Sequence, residues 1–361
     1  MTRSLQTILV ALALGAQLSV CPQEMMTAKR DHFQYLYNGL TDREAVIRRC
    51  VEQLHREAYD SVFATTAFLR ERNPEDPAGY FLAADACNTL MRDYRVRRFE
   101  TQFDSLISLT IAVTETALKR HPTAENYFLL GSAEGYRCLH LFRRGKWLTA
   151  IGSALNSVRN LRRAQDLEPD FVDPLLGLAL YDFGKSKVPA LGWFVSRETI
   201  LRRLERVQRE GRYVSVSARY ALQVVYMEMG QTDRAWEVNN WLYERFPRNP
   251  VCLYNRALLL EKLNRPQEAA LVWEQLIARV EDIERPSKGY LAECYYHLSS
   301  LSHLAGETEQ EASQLAAANR FVKLYRPEEE MDGPYTSFDE TKKAISQATK
   351  KVNRTQEVAQ K

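Results

Sequence analysis

The sequence predicts an all-α fold, a solenoid of about seven consecutive helix pairs. Glycine and proline are sparse, at 15 and 13 of 361 residues, which is few for a chain with many tight turns or strands. Apolar residues recur at helical spacing, and the alternation typical of a strand is missing over any useful length. A small residue also recurs at long, regular intervals. With 45% hydrophobic residues, the chain can bury an extensive core as two compact domains or as one long repeat array.

The repeat is clearest between residues 213 and 281, where two segments share one pattern. Ala235 and Ala269 occupy equivalent places and lie 34 residues apart. Gly230 and Asn264 precede them, and each can adopt the left-handed conformation that ends a first helix. The small alanines then let each second helix pack closely against its first helix. The two segments therefore predict two successive helix pairs.

The spacing extends through the chain when the small residue of each first helix is used as a marker. The markers are Cys50, Ala84, Gly131, Gly177, Gln223, Ala257 and Ser300, with successive gaps of 34, 47, 46, 46, 34 and 43 residues. In two of the long central units the extra residues fall before the closing proline, since Ala84–Pro122 and Gly131–Pro169 are both 38 residues apart. The spacing therefore predicts longer helices in these two units.

Local signals mark where the predicted helices begin and end. A capping box at residues 41–44 predicts the start of the first helix. A proline-containing turn at residues 72–77 closes the first pair, and Pro169 and Pro247 end later second helices. Helical spacing in a long second helix is seen at Leu155, Val158, Leu161 and Ala164.

The 34-residue period and the turns at 227–235 and 261–269 resemble those of tetratricopeptide repeats. The resemblance covers residues 41–326 and is most specific at 213–281; the central turns depart from the consensus. The chain is also similar to bacterial exported repeat proteins, here with lengthened central repeats. The resemblance implies a right-handed α-α superhelix whose concave face, lined by the first helices, binds a protein or peptide. It further implies a scaffold that is not an enzyme and carries no cofactor.

The register of the two clear repeats gives candidate groove residues. They are Ser217, Tyr220, Val224, Met227 and Glu228 in one first helix, and Tyr254, Asn255, Leu258 and Glu261 in the next. This mixture suits a peptide more than a small anion. Some tetratricopeptide proteins clamp a terminal carboxylate with Lys and Asn. Asn255 fits that pattern, but Tyr220 and Val224 stand where Lys and Asn are needed, so this clamp is not expected.

A second candidate site is a predicted loop inserted within residues 173–193. Its candidate functional residues are Tyr181, Asp182, Lys185, Lys187 and Trp193. A long linker with aromatic and basic residues suggests a loop on the binding side. The sequence Gly184–Ser186 mimics the end of a phosphate-binding loop. However, the glycine-rich start and the preceding strand are both missing, so nucleotide binding is not expected.

The first 20 residues have the layout of a secretory signal, with Arg3 as the one charge and an apolar stretch at residues 8–14. Export to the periplasm or cell envelope is therefore expected, with a retained anchor as the alternative. Cys21 lies in a lipobox-like context, but Val20 argues against its acylation. Membrane association is expected if either anchor is kept. Residues 21–40 are a predicted lead-in, and residues 327–361 a polar tail with one weak helix.

The sequence contains only weak indications of nucleic-acid binding, metal binding or catalysis. Charges of both signs are interspersed and the formal net charge is +3, so nucleic acid is not an expected partner. The histidines and cysteines lack metal-ligand spacing. Cys252 and Cys294 either face one another or pack as separate buried thiols. Asp173 and Asp182 represent the enzyme alternative, a helical glycan-acting enzyme with paired carboxylates, although Asp173 also suits a helix cap. Self-association in an architectural role is the third hypothesis.

Overall fold

The computed structural model describes residues 43–187 and 195–359, with side chains described as far as residue 354. The predicted signal segment, the lead-in with Cys21, and Trp193 lie outside the described residues, as do the first two positions of the capping box. The described residues form helices and turns, with one isolated β-bridge between Val96 and Glu330. No helix among them is long and apolar enough to cross a membrane.

Fifteen helices follow one another within the described ranges, and this confirms the all-α prediction. The first four pairs are α1 Arg43–His55 with α2 Tyr59–Arg72, α3 Pro77–Asp93 with α4 Glu100–Arg120, α5 Ala124–Arg143 with α6 Trp147–Leu167, and α7 Pro174–Ser186 with α8 Arg197–Glu210. Then come α9 Ser215–Glu228 with α10 Thr232–Arg245, α11 Pro250–Lys262 with α12 Pro266–Glu281, and α13 Lys288–Ala305 with α14 Thr308–Leu324. A single helix follows, α15 Phe338–Ala359. The count of seven pairs is confirmed, while the right-handed superhelical course stays a prediction.

The marker residues fall on the first helix of every pair, from Cys50 on α1 to Ser300 on α13. The two central units with a distant closing proline do have longer helices: α4 and α6 have 21 residues each, whereas α11 has 13 and α12 has 16. The third long unit has short helices instead, with 13 residues in α7 and 14 in α8. Gly230 and Asn264 both adopt positive φ, +70° and +56°, at the ends of their first helices. The left-handed helix ends predicted from the sequence are therefore present.

Two markers are glycines because α6 approaches two first helices closely. A Cβ added to Gly131 on α5 would lie 2.7 Å from Cγ of Leu161, and one added to Gly177 on α7 would lie 2.5 Å from its Cδ1. Leu161 is buried in a cluster with Phe128, Val158 and Phe171. The side chain of Leu161 thus fills the space that the two glycines leave open.

The described chain divides into two compact units. Unit 1 comprises residues 43–90 and 99–229, and unit 2 comprises residues 91–98 and 230–359, each within the described ranges. The boundaries fall inside α3, between α3 and α4, and between α9 and α10. Unit 2 has its own apolar core, in which Trp273 is fully buried. One continuous repeat array through residues 41–326 stays a prediction.

The segment predicted as a loose tail is largely structured. Residues 326–337, termed the strap, contact other parts of unit 2. The Met331 N–H donates to the Arg95 carbonyl at 2.9 Å, and the Ser287 hydroxyl donates to the Glu330 carboxylate at 2.7 Å. After the strap, α15 packs on α13 and α14. The tail prediction is corrected because polar side chains of the strap have specific acceptors and donors within unit 2.

The five cysteines of the described chain are buried, unpaired thiols. Burial raises the pKa of Cys138 to about 11 and the pKa values of Cys87 and Cys252 to about 12. Cys252 and Cys294 are each fully buried and not bonded to one another. Cys252 and Cys294 are therefore separate buried thiols, which is one of the two alternatives that the sequence left open.

Candidate functional site

The first helices of unit 1 enclose an apolar pocket. Residues from α1, α3, α5, α7 and α9 line it, joined by three residues of α6. Its volume is about 150 Å³. The first helices of five consecutive pairs therefore contribute to one pocket within unit 1.

Small residues on two neighbouring helices leave the pocket open. On α5, Ser132 and Gly135 line it, and on α6 Ala154 and Ser157 do so. A Cβ on Gly135 would meet Oγ of Ser157 at 3.2 Å, so this part of the interface between α5 and α6 is already close. Larger side chains from α1, α3 and α7 line the rest of the pocket.

A few polar side chains interrupt the apolar lining. The Tyr136 hydroxyl donates to Oδ1 of Asp85 at 2.6 Å, and its ring stacks on Phe81 with centroids 5.5 Å apart. Glu125 accepts from Arg43 at 2.7 Å. The lining includes these two carboxylates and no lysine or arginine. The pocket thus combines an apolar interior with two carboxylates, of which Glu125 is already paired with Arg43.

Most of the predicted groove residues are buried. The side chains of Tyr220, Val224, Met227, Tyr254 and Asn255 lie in the interior of their units. They do not present a free surface, and the sequence prediction is corrected at these five positions. Direct contact of a partner with any of the predicted groove residues stays a prediction.

The other predicted groove residues have intramolecular contacts or line the pocket. Glu228 forms an ion pair with Lys187. Glu261 accepts from the Trp273 indole N–H at 2.6 Å and lies 2.9 Å from Nδ1 of His297. Leu258 packs, partly buried, against the core of unit 2, and Ser217 lines the unit 1 pocket. Ser217 therefore links the predicted groove to the observed pocket.

A buried cluster in unit 2 explains why Tyr254 and Asn255 are covered. Tyr335 of the strap stacks on Tyr254 with centroids 6.0 Å apart, and its hydroxyl lies 3.2 Å from Oδ1 of Asn255. On another side, the guanidinium of Arg95 lies 4.8 Å from the Tyr254 ring centroid. Glu293 pairs with Arg95 and accepts from the Tyr254 hydroxyl at 2.7 Å. Two segments distant in sequence thus cover the predicted surface.

The predicted functional loop is helical as far as Ser186, and its residues 188–193 lie outside the described residues. Tyr181, Asp182 and Lys185 lie in the last turns of α7, and Lys187 is the residue that follows the helix. The loop prediction is wrong at these positions because Gly184 is tolerated inside a helix whose face is buried. Tyr181 does line the pocket.

The two carboxylates of the enzyme alternative have structural partners. Asp173 accepts from three backbone N–H groups, those of Arg212 at 2.7 Å, Tyr213 at 2.6 Å and Val214 at 3.1 Å. Burial raises the pKa of Asp173, while these donors act in the opposite direction. Asp182 pairs with Arg203 at 2.6 Å. The Asp173 side chain thus caps the backbone N–H groups of the segment before α9. It makes no capping hydrogen bond to α7, the helix that it precedes in sequence.

Within the described residues, no group of three or more His, Cys, Asp or Glu side chains is arranged to hold a metal ion. The pocket residues of α1, α3 and α5 were not predicted from the sequence. One signal could have found them. Gly131, Ser132 and Gly135 place small side chains close together on one side of a buried helix, which suggests an open space beside it.

No protein-family model matches the chain, and no curated protein matches its sequence. Among solved structures, it is similar to a chain of the Cut9-Hcn1 hetero-tetramer of the APC/C, with 12% identity and a TM-score of 0.44. That match covers 87% of this chain and 59% of the other. It is also similar to a tetratricopeptide repeat protein from Parabacteroides merdae, with 13% identity, a TM-score of 0.36, and 86% and 98% coverage. With TM-scores below 0.5, neither likeness carries a functional argument, and the fold assignment rests on the helix pairs.

Proposed function

We propose that this protein is a non-catalytic interaction scaffold that holds a partner protein by one apolar side chain in the unit 1 pocket. The observation that carries the proposal is the pocket itself, which five successive first helices line. Both carboxylates of the glycan-enzyme alternative are engaged in structural contacts, and this favours binding over catalysis.

The size of the pocket supports a single side chain as its occupant. A cavity of about 150 Å³ lined by Leu, Ile and Phe is large enough for a benzene ring. Pockets for drug-sized molecules are larger, at roughly 300–1,000 Å³. The pocket volume of about 150 Å³ therefore matches one aromatic or branched side chain. A peptide that offers Phe or Leu is the occupant that fits.

The charge of the lining supports a basic residue next to that side chain. Asp85 is 5% exposed, and Glu125, which is bonded to Arg43, has 27% of its side chain exposed. A carboxylate in a poorly hydrated wall favours an approaching cation and disfavours an anion. We therefore propose a partner segment in which an apolar anchor stands beside Lys or Arg.

The proposed location is the bacterial periplasm or cell envelope. Its support is the signal-like sequence of residues 1–20, with its single charge and short apolar stretch. A scaffold in that compartment would hold an envelope protein. Mass spectrometry of the mature N-terminus tests the location; an intact Met1 in native material would contradict export with cleavage.

Filling the pocket should abolish the proposed binding. Ser132→Leu places an apolar side chain in the pocket from α5, and Ser108→Leu adds the same group to an exposed site on α4. Peptides from a random library should be selected on the wild-type chain, and their affinities measured on both variants. Because burial of an anchor contributes about 1.5–3 kcal/mol, we expect Ser132→Leu to weaken binding by about tenfold or more. Ser108→Leu should change nothing.

The composition of the selected peptides is a second readout. An apolar anchor beside Lys or Arg is expected in most of them. Peptides that lack a shared apolar residue, or that bind both variants as tightly as the wild type, would show that the pocket is not the binding site.

A further inference from the structure

An exposed apolar stripe runs along the outer face of α6. Its members are Leu148, Ile151 and Leu155, whose exposed fractions are 88%, 53% and 58%. Positions i, i+3 and i+7 share one face of a helix. At Gly152, between them, an added Cβ would meet no atom within 4 Å. The stripe is therefore continuous, open and unoccupied by other described parts of the chain.

The opposite face of α6 is fixed in the core of unit 1. Ala150, Val158, Leu161 and Ala164 are buried there, and the Ser157 hydroxyl donates to the Gly131 carbonyl at 2.6 Å. Because these contacts hold the helix, the stripe is presented in a set orientation. Ordinary core packing thus explains the inner face of α6 and leaves the outer leucines and isoleucine without a structural role.

Positive charge brackets the stripe. Lys146 precedes it, and Arg159, Arg162 and Arg163 follow it. All four are exposed, and none forms an ion pair with an acidic side chain in the described part of the chain. Residues 143–165 contain no Asp or Glu. A nearby arginine, Arg144, does pair with Asp104 at 2.9 Å, and Asp166 is the first acidic residue after the stripe.

Trp147 adds a further feature at the start of α6. It is 45% exposed, and its ring packs edge-on against Phe142 with centroids 4.4 Å apart. Tryptophan is enriched where apolar and polar layers of a bilayer meet. Arg159 donates to Oδ1 of Asn156 at 2.9 Å, a neutral partner that leaves its charge uncompensated. Exposed Leu and Ile beside Trp and several cations without acidic partners are typical of helices that lie in the plane of an anionic membrane.

We propose that the outer face of α6 docks the protein peripherally on an anionic lipid surface. The three stripe side chains enter the boundary between head groups and acyl chains, and Lys146 with the three arginines contacts the lipid phosphates. The observations favour lipid over a protein partner because the exposed cations at both ends of the stripe match a surface of uniform negative charge. This site is separate from the unit 1 pocket, and its docking does not depend on the proposed function.

The test is sedimentation of the full chain with vesicles of phosphatidylcholine containing one-third phosphatidylglycerol, compared with phosphatidylcholine alone. Two triple variants probe the site: Leu148→Ser/Ile151→Ser/Leu155→Ser and Arg159→Gln/Arg162→Gln/Arg163→Gln. The matched control is Leu271→Ser/Leu304→Ser/Leu324→Ser, which alters three exposed leucines of unit 2. Circular dichroism checks that all variants remain folded.

We expect the serine variant of the stripe to lose more than tenfold in partitioning to anionic vesicles, and the control to lose none. Since each cation near an anionic surface contributes about fivefold, the glutamine variant should lose about 100-fold at low salt. Equal partitioning of the stripe and control variants would overturn the proposal, as would equal binding to both vesicle types. Concentration-dependent dimers that the stripe variant abolishes, without vesicle binding, would overturn it in favour of self-association.

Discussion

Replacing Arg95 by methionine should lower the free energy of unfolding of unit 2 by about 3–5 kcal/mol, because the change leaves the Glu293 carboxylate buried without its cation. Both side chains are 4% exposed. Arg95 also lies 3.7 Å from the ring centroid of Tyr290. Burial opposes the charge of Arg95, but Glu293 raises its pKa above the ordinary value. The pair is stable because each charge compensates the other.

Hydrogen exchange of the α11 and α13 amides measures this effect within unit 2. The double variant Arg95→Met/Glu293→Gln should recover most of the lost protection, since removing both charges of a buried pair is often nearly neutral. Arg265→Met breaks an exposed pair with Glu268 and is expected to leave protection unchanged. A single variant that behaves like Arg265→Met, or a double variant as damaged as the single one, would contradict the role given to this pair.

Replacing Asp173 by alanine should lower the free energy of unfolding of unit 1 by about 2–4 kcal/mol. The side chain is fully buried and accepts from the three backbone N–H groups before α9. Alanine leaves those donors without an acceptor. The start of α9 should therefore fray, and Tyr213 and Ser217 would then no longer form a fixed wall of the pocket.

Urea unfolding, together with hydrogen exchange of the Arg212–Val214 amides, measures the loss. Asp170→Ala is the matched control, because Asp170 is exposed three residues earlier. We expect the control to stay within about 0.5 kcal/mol of the wild type. Similar curves for the two variants would mean that Asp173 is dispensable as a cap.

The repeat architecture could be predicted because its signals are local. Positive φ at Gly230 and Asn264 follows from residue type at a helix end, and the longer central helices follow from the marker spacing. The helical end of α7 was missed because Gly184 resembles a loop signal in the sequence. A buried apolar face stabilises helix through such a glycine, and that information is not local.

The site could not be predicted in the same way. The inward direction of Tyr254 was a reasonable inference from the register, but Tyr335 and Arg95, distant in sequence, cover it. The pocket could not be predicted because it depends on how several helices pack. Ser132 and Ala154 are small side chains in its lining, but the sequence does not show which helices surround them. The apolar spacing of α6 was recognised, yet spacing alone did not separate exposed Leu155 from buried Leu161.

Site-specific photo-cross-linking tests the central claim, that the pocket holds an apolar anchor of a partner protein. p-Benzoylphenylalanine would replace Tyr181, which lines the pocket, or Tyr80, a partly buried tyrosine of α3 that does not. The cross-linked proteins would be mapped by mass spectrometry in cells. We expect cross-links from position 181 to one segment with an aromatic or branched residue beside Lys or Arg, and none to that segment from position 80. Equal cross-linking from both positions, or no partner at position 181, would contradict it.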